Sequence, residues 1–204
     1  MTRLEKTIDK LKAGSVVTIA GLGDSLTQGW MVKAGFFDRF CDSLQDLYHD
    51  ATIKRLNFGV PGSTAGQGLS RVDALLQANP DVVVVQFALN DCFMGIPVSE
   101  YKRDIENLVN DLMSKAELVV LVTSCPVPDP QMQEMSALFY QAIKEVGVDL
   151  SVPVADLENF WNQREKTKPS LQPLYQSDQV HPTDAGHLIM AEGLLDIFKK
   201  ASQA

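Results

Sequence analysis

Residues 16–29 read VVTIAGLGDSLTQG, a run of mostly β-forming residues that ends abruptly in small and polar ones. Val16 to Ala20 has the composition of a strand covered on both faces, which needs no polar alternation. Gly21, Leu22, Gly23 and Asp24 then read as the loop leaving that strand, and Ser25 follows on a tight turn into a helix. A hydroxyl placed there could project as a nucleophile, but a serine at that position is also an ordinary helix N-cap. Support for chemistry has to come from elsewhere in the chain.

Outward from this stretch the same alternation repeats. Upstream, Leu4, Ile8 and Leu11 have helical spacing over residues 2–12, and Gly14 is a natural stop. Downstream, the periodicity predicts helices near 34–49, 67–78, 99–115, 130–146 and 183–200, and strands near 52–58, 82–87, 117–123 and 152–155. The valines of VVVVQF at 82–87 suggest a central strand. Strands alternating with helices imply an α/β fold, a mainly parallel sheet sandwiched by helices, in which functional loops follow the carboxyl ends of strands. The loops after the first three strands carry GLGDSLTQG, GVPGSTAGQG and ALNDC, so all three are expected to open on one face.

With 204 residues, 45% hydrophobic and 22% charged, and no repeat or linker, the chain is expected to be one domain over 1–204. A net charge of -8 argues against nucleic acid or anionic membrane as partner. Cys41, Cys92 and Cys125 are odd in number and widely spaced, which suggests neither a disulfide framework nor a zinc site. The opening MTRLEKTIDKLKAG lacks the apolar run of a signal peptide, and no apolar stretch reaches about 18 residues. The expectation is a cytoplasmic protein without stable membrane insertion. Residues 162–180, NQREKTKPSLQPLYQSDQV, read as the longest irregular stretch, a lid or a merely solvated crossing.

Three histidines compete for the role of base to Ser25. His49 falls at the end of a helix, where a cation suits the dipole. His181 and His187 each have an aspartate three residues earlier, Asp178 and Asp184, so spacing alone does not separate them. Position does: Asp184 and His187 fall in the first turn of the closing helix, whereas Asp178 and His181 lie in the loop before it, able to reach another loop. An aspartate that close can hold an imidazole in one tautomer while the far nitrogen takes a hydroxyl proton. Acyl transfer also needs donors for the developing oxyanion. Gly62 could turn a backbone amide inward, Asn90 could add its side-chain amide, and the Ser25 amide would be the third. Taken singly, Gly62 is a turn glycine and Asn90 a strand-end residue.

Together these blocks resemble the SGNH hydrolase superfamily, also called GDSL esterases and lipases, across nearly the whole chain. GDSLTQG at 23–29 matches the block with the nucleophile, at Ser25, and NFGVPGST at 57–64 the block with the oxyanion glycine, at Gly62. ALND at 88–91 matches the block with the oxyanion asparagine, at Asn90, with Ala88 where glycine is usual; Asp178 to Pro182 matches the last. The resemblance implies a three-layer α/β/α, flavodoxin-like fold with about five strands. It also implies a small-molecule ester cleaved through an acyl-enzyme on Ser25, with His181 and Asp178 completing a triad and no metal or cofactor. Transfer of the acyl group to an alcohol would use the same residues. A non-catalytic binding module would be expected to have lost some of them. A dinucleotide fingerprint fails at Leu26, and the GxSxG elbow fails at Thr27. Phe87, Phe93, Met94 and Ile96, with Trp30 and Met31, could line an acyl pocket or serve as core. Cys92 reads as a small buried filler.

Overall fold

The computed structural model describes residues 1–203. In chain order the elements are α1 (Arg3–Lys12), β1 (Val16–Gly23), α2 (Ser25–Gln28), α3 (Phe36–Leu47), β2 (Thr52–Gly59), α4 (Ala65–Leu69), α5 (Val72–Gln77) and β3 (Val82–Gln86). They continue with α6 (Leu89–Phe93), α7 (Val98–Leu112), β4 (Leu118–Val122), α8 (Pro130–Asp149), β5 (Val154–Ala155), α9 (Leu157–Thr167) and α10 (Asp184–Gln203). All five strands are parallel, in the order β2-β1-β3-β4-β5. Helices flank the sheet: α1, α3, α9 and α10 pack among themselves, as do α4, α5, α7 and α8.

Burial explains the order. Every residue of β3 and β4 is buried, as the valine run demands of strands with neighbours on both sides and helices on both faces. β2, at an edge, has no fully buried residue. The chain winds outward from β1 to β2, then returns to β3 on the other side of β1. Such a reversal leaves a crevice at the carboxyl ends of the two strands, where ligands bind in open α/β sheets.

The structure differs from the sequence reading in several places. β1 runs on to Gly23, so Gly21 to Gly23 is strand rather than loop, paired with β2 (Gly23 with Gly59) and β3 (Gly23 with Gln86). A Cβ on Gly23 would stand 2.1 Å from Thr27 Oγ1 and 2.6 Å from the Gln86 carbonyl oxygen, so this glycine serves close approach rather than turning. The single helix expected over 67–78 is two, α4 and α5. Gly66 and Gly68 weaken the first, and the Arg71 N–H turns back to the Gly68 carbonyl at 3.0 Å. Residues 162–167 belong to α9, which Asp156 caps by accepting from the Asn159 N–H at 3.1 Å while Leu157 and Trp161 are buried. The irregular segment is therefore 168–183. ALNDC is likewise not an open loop, because Leu89 to Phe93 forms the short helix α6.

Candidate active site

Asp24 leaves β1 and caps α2, its Oδ1 accepting from the Leu26 N–H at 2.8 Å. Ser25 opens α2, and the N–H groups of Gly29 and Trp30 both donate to its carbonyl at 3.0 Å, fixing the turn that carries it. Ser25 is 8% exposed and lines a cavity.

The partner arrives from the other end of the chain. In the segment before α10, Tyr175 and Pro182 form an antiparallel bridge, and the Gln176 N–H donates to the His181 carbonyl at 2.8 Å. Gln176 Nε2 donates to the Trp30 carbonyl at 3.1 Å, tying this segment to the loop that carries Ser25. Asp178 Oδ1 accepts from the N–H groups of Val180 and His181, each at 2.9 Å. Its Oδ2 lies 2.7 Å from His181 Nδ1, and His181 Nε2 lies 2.9 Å from Ser25 Oγ. Partial burial tends to raise the Asp178 pKa, but the two backbone donors and the His181 ring outweigh it and hold the carboxyl below its usual range. With Nδ1–H donated to the carboxylate, Nε2 presents a lone pair to the hydroxyl.

A cavity of about 250 Å³ opens beside this pair. Leu26, Leu89, Phe93 and Val180 form its apolar wall, and Asn90, Asp178 and His181 its polar side. Gly62 is not part of that wall. It lies exposed with φ 77°, a conformation glycine adopts freely, and its neighbour Ser63 accepts from Asn90 Nδ2 through the carbonyl oxygen at 3.1 Å. Asn90 Nδ2 also lies 3.4 Å from Asp24 Oδ2. A larger hollow of about 480 Å³, between Arg39, Arg164 and Asp184, contains none of these groups.

The other candidates fall elsewhere. His187 is buried, its Nδ1 accepting from the Phe36 N–H at 3.1 Å, and His49 is exposed beside Asp50. Phe87 belongs to the core and Ile96 packs against it, while Trp30, Met31 and Met94 are exposed. Cys92 is buried, which pushes its thiol up. Ala88 is fully buried where α6 begins. Among the described residues, no group of three or more His, Cys, Asp or Glu side chains is placed to hold a metal ion, and no helix is long and apolar enough to cross a membrane.

Beneath the cavity lies a buried polar network that the sequence reading missed. Gln86 Nε2 donates to Asp24 Oδ2 at 3.2 Å and to Ser124 Oγ at 2.9 Å, while its Oε1 accepts from Thr27 Oγ1 at 2.8 Å. Burial pushes Asp24 up to about 7, against the pull of the Leu26 and Gln86 donors, and the nearby Asp91 charge raises it further. Asp91 is likewise pushed up to about 6 by burial, and its Oδ2 has no partner. Arg71 links the end of β1 to the loop after β2, with Nη2 donating to the Gly23 carbonyl at 3.1 Å and Nη1 to Ser63 Oγ at 2.8 Å. A lone Gln among the valines of β3 was the available signal for this network; nothing marked Arg71.

A model of the GDSL-like Lipase/Acylhydrolase family matches residues 22–189. An arylesterase of Vibrio mimicus is 26% identical over 174 residues, 84% of this chain and 82% of that protein. An acetylxylan esterase of Geobacillus stearothermophilus is 24% identical, covering 91% of this chain and 95% of that one. A crystal structure of that esterase superposes with a TM-score of 0.77 at 21% identity, over 92% of this chain and 96% of the other, a likeness of fold.

Proposed function

The chain belongs to the GDSL-like lipase/acylhydrolase family and is an ester hydrolase of that type, and from this premise we propose that it cleaves short-chain carboxylic esters through an acyl-enzyme on Ser25. The observation that carries the reading is the continuous relay from Asp178 through His181 to Ser25, at 2.7 and 2.9 Å. In this mechanism His181 Nε2 takes the Ser25 hydroxyl proton as Oγ bonds to the ester carbonyl carbon, and Asp178 steadies the imidazolium. The carbonyl oxygen, now negative, is held by the N–H groups of Ser25 and Gly62 and by Asn90 Nδ2. For Asn90 this means exchanging its longer bond, the 3.4 Å contact with Asp24, for the oxyanion. Collapse expels the alkoxide, which takes the proton from His181. Water then repeats the sequence on the acyl-serine and releases the acid.

The cavity supports the choice of a small substrate. About 250 Å³ with an apolar wall suits a small acyl group, and the relatives named as an arylesterase and an acetylxylan esterase are compatible with one. The test is hydrolysis of p-nitrophenyl esters from acetate to palmitate by the wild type and Ser25→Ala. Activity concentrated at acetate to butyrate and lost by several orders of magnitude in the variant is the expected result. An active Ser25→Ala protein would overturn the mechanism, and a preference for palmitate would overturn the substrate class.

A further inference from the structure

Arg71 is a partly buried cation with no carboxylate in ion-pair contact among the described residues. Its Nε is shut off from solvent with no partner, and its guanidinium stands 6.0 Å over the Phe87 ring. Taking a charge out of water is costly unless hydrogen bonds or other charges offset it. Burial lowers its pKa while the Asp24 charge raises it, and the group remains cationic at neutral pH.

The bonds Arg71 makes indicate what uses it. Nη2 holds the carbonyl of Gly23, two residues before Ser25. Nη1 holds the hydroxyl of Ser63, the residue after Gly62, and also reaches the Gln67 carbonyl at 3.3 Å; the Ser63 carbonyl in turn anchors the Asn90 amide. One guanidinium thus joins the end of β1, two residues before Ser25, to the loop bearing Gly62, and through Ser63 reaches Asn90. These are the three donors assigned to the oxyanion.

We propose that Arg71 is a positioning residue for the oxyanion site, fixing the Ser25, Gly62 and Asn90 donors in register and adding a positive charge behind them that counts most when the tetrahedral oxyanion forms. The proposal rests on the serine mechanism above. The guanidinium touches no reacting atom. It acts through Gly23 and Ser63, residues next or near to those donors, so it should matter more to the charged transition state than to the neutral ester.

The experiment compares wild type, Arg71→Met, Arg71→Lys, Ser63→Ala and Ser25→Ala for p-nitrophenyl acetate hydrolysis, thermal unfolding and inhibition by phenylboronic acid. The boronic acid binds an active serine as a negatively charged tetrahedral adduct. For Arg71→Met we expect kcat to fall by about ten- to a hundredfold with KM changed less than about twofold, and the boronate inhibition constant to rise in parallel with the kcat loss. Arg71→Lys should recover part of the loss, and Ser63→Ala, which removes one bond of the guanidinium, should show a smaller parallel loss. Folded Arg71→Met with unchanged kcat and boronate affinity would overturn the proposal. If that variant does not fold, unchanged kcat and boronate affinity in both Arg71→Lys and Ser63→Ala would overturn it instead. An active Ser25→Ala protein sinks the underlying mechanism. An inactive one, beside indifferent Arg71 and Ser63 variants, sinks only the role of Arg71.

Discussion

His181 Nε2 stands 2.9 Å from Ser25 Oγ although 156 residues separate them in the chain. The contact is useful only while Nε2 carries a lone pair, and Asp178 Oδ2, 2.7 Å from Nδ1, keeps it so. Asp178→Asn would present an amide donor to that nitrogen and favour the wrong tautomer. We expect kcat for p-nitrophenyl acetate to fall by about a hundredfold or more with little change in KM. A loss of less than about threefold would show that His181 needs no such partner.

His187 shares the Asp-x-x-His spacing yet should behave in the opposite way. Burial, helped by the Arg39 charge and opposed by Asp184, pushes its ring down to about 4 from a usual 6.5. Between those values the unfolded chain binds a proton that the folded protein refuses, so stability falls as pH drops from about 6.5 to about 4. His187→Gln should weaken that dependence. At neutral pH it should cost about 1–3 kcal/mol by disturbing the bond from the Phe36 N–H. Urea unfolding at pH 7 and pH 5 measures both, and kcat should stay close to wild type. A hundredfold loss of kcat in folded protein would mean that the roles of the two histidines are misassigned.

Asp24 titrates in the other sense. Its folded value of about 7 lies above the usual 3.8, so across that window the folded state holds a proton that the unfolded chain has released. Stability is then lost as pH rises from about 4 to about 7 and is level beyond. Asp24→Asn keeps an oxygen for the Leu26 N–H and carries no charge. Relative to wild type it should gain stability across that window, by at most about 1.4 kcal/mol per pH unit. The difference between the two proteins in urea unfolding at pH 5 and pH 7.5 isolates this residue from Asp91 and His187. An equal difference at the two pH values would place the Asp24 titration elsewhere.

Phe93 is 36% exposed and forms part of the apolar wall beside Ser25. Phe93→Ala should lengthen the cavity, and each methylene newly buried there is worth ~0.8 kcal/mol. The ratio of kcat/KM for octanoate to acetate esters should therefore rise severalfold. A ratio that stays constant would mean that the acyl chain lies against a different wall.

The order of elements was legible because burial writes itself into composition: a strand buried on both faces reads VVVVQ, and amphipathic helices such as α3 carry their apolar residues at turn spacing. The four blocks around Ser25, Gly62, Asn90 and His181 were legible because local turn chemistry and a family pattern both restrict those residues. Sequence left α9 hidden, since Asp156 as cap with Leu157 and Trp161 is a sparse signal, and it took the glycines closing β1 for a loop. Other facts could come only from the folded chain. These are the distances that join Asp178, His181 and Ser25, the position of Gly62 outside the cavity wall, the raised carboxyl of Asp24 over Gln86, and the bonds of Arg71 to the end of β1 and to Ser63. Each depends on contacts between residues far apart in the chain, or on the loss of water around a charge, and neither is encoded in the spacing of neighbours.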